Sequence, residues 1–328
     1  MYTNIVLFFL LWTHNVVGFE LNEVDNSTND INYYEHKVLH ISSYHVDYQW
    51  TQGIVEGVNE VLTPTGVLLQ TFYMDTKRFQ SEPYKHTIAL AVKYLIDEFQ
   101  PDVVIASDDN ASKYVVEPYF KNTDLPIVFC GVNWTEKNYN YPYTNTTGMV
   151  EISLIKQLIE HLSRYAKGKK VGFLAENRLS EKKSLQNHQT MLGIHYEVAY
   201  FANSVKEWKK YYLALQQEVD MLIILGYAGL AGWKNDEMRK FILQHTTIPT
   251  GTDLPWAAAL TLIGMGKSPQ EQGRWAAHAA LDILRGQSPQ NIPITHNKQG
   301  HLYINLRLAN QLGILFESQI LKIATLLK

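Results

Sequence analysis

The residues able to do chemistry in this chain gather in short polar segments that follow apolar runs. After the run ending at Ile41 come Ser42, Ser43, Tyr44, His45, Asp47, Tyr48 and Trp50. After a second run come Ser107, Asp108, Asp109, Asn110 and Ser112, and after a third Cys130, Gly131, Asn133 and Trp134. Further along, the corresponding segments hold Glu176, Asn177 and Arg178, then Gly226 and Tyr227, then Thr252, Asp253 and Trp256. Hydroxyls, amides, carboxylates and aromatic rings in one set suit a small polar molecule held by hydrogen bonds and stacked on rings. Simpler roles compete. Ser107, Asp108 and Asn110 precede a helical pattern and can cap it, whereas Trp50 and Trp256 open helical patterns and can anchor a core. Cys130 closes an apolar run and reads as a small buried residue. Tyr44 and His45 lie in a polar turn and are harder to place in a core.

Catalytic signatures fail. There is no G-x-S-x-G, so a nucleophile elbow has no support. The segment TLIGMGKS, 261–268, resembles a phosphate loop but carries Thr261 in place of the first glycine. His36 and His40 are four apart yet flank a strand pattern, and His40 with His45 makes an incomplete metal set. No catalytic residue, metal or cofactor is assigned. The enzymatic alternative is a hydrolase-like pair of His45 with Asp108 or Asp109 as acid and base.

The elements that would position these residues alternate in type. Strand patterns at 38–42, 67–74, 103–107 and 127–130 alternate with helical patterns at 50–62, 83–99 and 110–120. After the Tyr/Asn/Thr-rich stretch 138–147, helices at 153–165, 180–192, 204–218 and 236–244 alternate with strands at 170–175, 196–201, 221–225 and 248–250. Such series require parallel sheets with right-handed crossovers, with ligands bound beyond the carboxyl ends of the strands. The fold class is therefore α/β with two doubly wound lobes. A helix at 269–285, a turn-rich segment at 286–293, a short strand at 302–305 and a terminal helix complete the chain, and the lone late helix must pack back on a lobe.

Composition narrows the functions. With 29 Lys+Arg against 32 Asp+Glu, the chain lacks the basic face that nucleic-acid binding needs. A single cysteine excludes an intramolecular disulfide framework. Tyr, at 20 residues, outnumbers Phe at 12, which favours rings that keep a polar edge. Residues 1–18 read as a signal peptide: their apolar run is too short to span a bilayer, which takes about 20 residues. No cysteine follows to carry a lipid. The expectation is a periplasmic monomer without an anchor, with a flexible leader at 19–36.

Four segments taken in order resemble one family. SSYHVDYQWTQGIVEGV, VVIASDDNASKYVV, LPIVFCGVN and GKSPQEQGRWAAHAALDILRGQSPQNIP are similar to segments of type I periplasmic binding proteins, the substrate-binding components of ABC transporters. The likeness runs over 37–313. It implies two Rossmann-like lobes joined by three hinge crossovers near 148–153, 264–268 and 286–293. The first lobe would comprise 37–148 with 267–290, the second 149–266 with 291–328. It implies a small-molecule ligand, amino-acid-like by preference, in the interlobe cleft, and a membrane permease as partner. The same subgroup occurs as sensor modules, so a signalling receptor's ectodomain is the alternative partner. Ser42, Ser43 and the amides leading into Asn110 would hold an anionic group, and Asp253 would face an ammonium or a hydroxyl. Tyr44, Trp134 and Tyr227 would stack on the ligand, with His45, Trp50, Ser107, Asp108, Asp109, Gly131, Asn133, Glu176, Asn177 and Trp256 completing the lining. The aromatic first loop disfavours a sugar.

Overall fold

The computed structural model describes residues 33–328. The signal-peptide reading and the leader as far as residue 32 lie outside the described residues. The leader's last residues differ from expectation: Tyr33–Glu35 form a 3-10 turn in which Tyr33 packs on the core beneath the Arg285 guanidinium, 5.9 Å from the ring centre. No helix among the described residues is long and apolar enough to cross a membrane.

Two sheets organise the chain. The first contains β1 (Lys37–Ser42), β2 (Leu68–Tyr73), β3 (Val103–Ser107), β4 (Ile127–Asn133), β5 (Thr146–Glu151) and, late in sequence, β11 (Thr295–His296). Its order is β11-β5-β4-β3-β1-β2, parallel throughout. The second contains β6 (Val171–Glu176), β7 (Val198–Ala202), β8 (Met221–Ile224), β9 (Thr250–Thr252), β10 (Ile263–Lys267), β12 (Gly300–Asn305) and β13 (Thr325–Leu327), in the order β13-β12-β10-β9-β8-β6-β7. Only the β10–β12 pair in it is antiparallel. Each sheet is thus wound 2-1-3-4-5 from its own first strand. Such an order reverses direction beside that strand, leaving a crevice between β1 and β3 in one sheet and between β6 and β8 in the other.

Continuous apolar runs form the inner strands because helices cover both faces. On one side of the first sheet, α1 (Gln49–Leu62) and α9 (Pro269–Leu284) bury Val38, Val103, Ile105, Val128 and Cys130. On the other, α2 (Glu82–Phe99) and the segment 111–120 cover Leu39, Ile41, Ala106 and Phe129. The second sheet has α5 (Ile155–Ser163), α6 (Leu179–Leu192), α7 (Val205–Glu218) and α8 (Asn235–His245). Trp208 stacks on Tyr212 inside its core at 5.1 Å.

Three differences from the sequence reading bear on the site. The helix expected from Asn110 begins at Asp108, since α3 (Asp108–Ala111) follows β3 directly and continues through a π turn at Ser112–Val116. Two strands, β5 and β10, occupy most of the segments 148–153 and 264–268 read as hinge crossovers. The third passage between sheets lies at 297–299, beyond 286–293, because β11 first adds to the edge of the first sheet. The other passages lie at 152–154 and at Ser268.

Candidate functional site

The first rim is built on the β1–β3 crevice. Ser43 Oγ donates to the Ser107 carbonyl at 2.7 Å and accepts from the Ala111 amide at 2.8 Å, so it fastens β1 to the start of α3. Its hydroxyl is committed within the fold, and the expected anion cradle at Ser43 and the helix amides is partly spent on that contact. Ser42 is fully buried and its hydroxyl has no hydrogen-bond partner. Ser107 Oγ meets His40 Nε2 at 3.0 Å; burial lowers the His40 pKa to about 4, so the ring is neutral near pH 7.

Asp108 turns the chain. It is 1% exposed with φ of 70°, a left-handed conformation that Asp tolerates better than most residues. Trp50 Nε1 donates to its Oδ1 at 2.9 Å, while Oδ2 is buried without a partner. Burial pushes this carboxyl well above its ordinary range, and the charge of Glu151 pushes it further. Gly131 lets it fit, because a Cβ there would lie 2.7 Å from Asp108 Oδ1. Asp109 accepts from Asn133 Nδ2 at 2.6 Å and Tyr139 OH at 2.8 Å, and Asn110 Nδ2 donates to Thr76 Oγ1 at 2.8 Å. Tyr44 lies half-buried above this group; burial raises its hydroxyl pKa, and Asp108, Asp109 and Glu151 add to the shift.

The second rim carries rings and acids. Tyr227 is buried, stacked on Trp233 at 4.0 Å and edge-on to Trp256 at 4.8 Å; Trp256 itself is exposed. Glu176 is buried with Oε2 3.3 Å from Arg178 Nε, and Glu181 accepts from the Gly226 amide at 3.1 Å. Asn177 is exposed and bonds to Asn203.

The rims meet at three places. Trp134, itself at φ of 66°, brings its ring 5.9 Å from that of His188 on α6. Ser153 Oγ, in the first passage, donates to Asp253 Oδ2 at 2.5 Å. Lys267, at the end of β10, forms an ion pair with Glu151, at the end of β5. Burial pushes the Glu151 carboxyl up and the ammonium only partly offsets it, whereas for Lys267 burial pulls the ammonium down but Glu151, Asp253 and Tyr48 together raise it. Sequence reading missed Glu151, Ser153, His188, Trp233 and Lys267. Glu151 and Lys267 end strands that had not been recognised and Ser153 lies in the passage after one, whereas His188 sits within α6 and Trp233 in the loop after β8, where no sequence signal marks them.

His45 Nδ1 lies 3.6 Å from Asp75 Oδ1, and no hydrogen bond joins His45 to Asp108 or Asp109. Among the described residues, no group of three His, Cys, Asp or Glu side chains is arranged to hold a metal ion.

Comparison with solved structures supports the architecture. A ligand-free, open substrate binding protein with adhesive properties from Clostridium difficile aligns with a TM-score of 0.65 at 16% identity, over 89% of this chain and 99% of that one. A conserved domain protein from Vibrio cholerae gives 0.52 at 19% identity, with the same two coverages. An ABC domain from Streptococcus pneumoniae in complex with L-Trp gives 0.51 at 16%, again over 89% and 99%. At these identities the likeness is one of fold, the type I periplasmic binding protein fold. No curated protein matches the sequence. The sequence pattern described as ABC transporter substrate binding protein matches residues 43–328, nearly all of the described chain, and the chain belongs to that family.

Proposed function

We propose that the chain is an extracytoplasmic solute-binding protein that captures a small polar or aromatic metabolite, amino-acid-like by preference, and delivers it to an ABC importer. One observation carries the reading: the carboxyl-end rims of two sheets, each lined with rings and carboxylates, face one another closely enough for Trp134 to reach His188. A solute between them touches both lobes only when they are closed, and this differential contact shifts an open–closed equilibrium without any bond being made or broken. The L-Trp complex of the Streptococcus pneumoniae relative supports an amino acid with an aromatic body. The acids fit its ammonium, and Tyr44, Trp134 and Tyr227 fit its side chain.

Thermal-shift screening of amino acids, nucleosides, sugars and short peptides tests this. A solute at one hundred times its Kd stabilises the fold by about 2.7 kcal/mol. That corresponds to roughly 4 °C for a chain of this size. Trp134→Ala should weaken the same solute at least tenfold by titration calorimetry. A panel in which no compound raises the melting temperature defeats the proposal.

A further inference from the structure

An ammonium of the chain's own sits among the rings of the first rim. Lys77, in the loop between β2 and α2, places Nζ 3.9 Å from the centre of the Tyr48 ring and 4.7 Å from that of Tyr44. It also donates to Tyr48 OH at 2.7 Å, and the two tyrosines meet edge to face at 5.4 Å. Rings arranged so around a cation form the kind of cage that recognises substituted ammonium groups. Among the described residues Lys77 has no carboxylate within ion-pair distance; Asp75, in the same loop, is taken by Arg78. The side chain is long and Lys77 is exposed, so it can swing into water at little cost.

The charges around the cage are unbalanced. Asp109 is held by the neutral donors Asn133 and Tyr139, Asp253 by Ser153, and Asp108 by Trp50. Only Glu151 among these four carboxylates has a cation of its own, Lys267, whose Nζ also lies 5.9 Å from the Trp50 ring. A carboxylate entering here meets Asp109 and Asp253, which no cation of their own offsets; an amine meets acids and ring faces.

We infer that Lys77 determines specificity: its ammonium occupies, between Tyr44 and Tyr48, the position that a solute's ammonium takes over, so the cleft selects amines and anchors them by nitrogen rather than by carboxylate. This rests on the reading of the cleft as the solute site. It moves the ammonium anchor from Asp253 to the first rim.

The test is calorimetric titration of tryptamine, L-tryptophan, indole-3-propionate and benzylamine into wild type, Lys77→Met, Lys77→Arg and the nearby control Lys137→Met, each checked for an unaltered melting profile. Wild type should bind tryptamine and L-tryptophan, with indole-3-propionate at least tenfold weaker. Lys77→Met should bind both amines about two- to fivefold tighter, the worth of an exposed cation on a ring face. Lys77→Arg, which refills the cage, and Lys137→Met should both match wild type. The inference falls if indole-3-propionate binds as tightly as tryptamine, if Lys77→Met leaves the amines unchanged or weaker, or if Lys137→Met gives the same gain. L-tryptophan binding that ignores Lys77 would overturn the inference and spare the solute-binding reading. Benzylamine binding that responds to Lys77 while no indole binds would uphold the cage and end the preference for an aromatic amino acid. If none of the four compounds binds any variant, both fall.

Discussion

Gly273→Ala probes the seam on which the first lobe closes. Gly273 lies on α9 where it crosses α1, and a Cβ there would stand 2.0 Å from the Ile54 carbonyl oxygen and 2.9 Å from the Val58 amide. Gly57, on the facing helix, would place its own Cβ 2.3 Å from the Gln270 carbonyl oxygen. These neighbours are backbone atoms and cannot rotate away. Restoring an ordinary separation of about 3.5 Å parts the helices by roughly 1.5 Å and loosens Ile54 and Val58 from Ala276, Ala277 and Ala280. Overpacking of this kind costs up to about 3 kcal/mol. Alanine returns about 1 kcal/mol through helix propensity. The net loss is about 2 kcal/mol, or roughly 3 °C in melting temperature by circular dichroism. Gly57→Ala should cost a similar amount, and the double variant less than the sum, because both open one gap. A Gly273→Ala protein that melts at or above the wild-type temperature would refute the close-approach argument.

Two further outcomes follow from the buried acids. Asp108→Asn should stabilise the fold near neutral pH: Asn keeps an acceptor for Trp50 and suits the left-handed backbone. Between 3.8 and its raised folded value, Asp108 holds a proton that the unfolded chain has released, so its contribution to stability falls as pH rises. The Asn variant's advantage should therefore be small near pH 4 and grow towards pH 7.5 in urea titrations; a constant difference would contradict it. Lys267→Met leaves Glu151 buried without its cation and should cost about 3 kcal/mol, the low end for a broken buried pair because Lys267 keeps some solvent contact. Adding Glu151→Gln should restore most of that loss, and equal stability of single and double variants would show that the pair is not coupled.

Much of the architecture could be read from alternation alone. Val103–Ser107 stands in sequence as it stands in the fold, an apolar run covered on both faces. What escaped were strands interrupted by glycine and ending on a charged residue. β5 reads TTGMVE, yet all six positions are buried, because β4 and β11 flank it and α9 lies against it. β10 reads IGMGK; its glycines admit Ala258 and Pro255 of the preceding 3-10 turn, so its pattern records close packing rather than strand propensity. Missing those strands meant missing Glu151 and Lys267, which meet between the ends of the two strands although these belong to different sheets. The first-rim residues were legible as a set, since strand ends are fixed by topology. Their division of labour was not: whether Ser43 caps a helix or faces a solute depends on atoms 68 residues away.

The late placement of α9 has a consequence for how the protein is made. Val38, Ile105 and Val128 on the first sheet face Ala276 and Ala280, so strands made early wait for partners roughly 150 to 240 positions downstream. Chains grow from the amino terminus, and a domain settles only when its last contributing segment has emerged. A nascent chain halted before residue 269 would therefore hold a bare apolar sheet face, open to chaperones and to clumping.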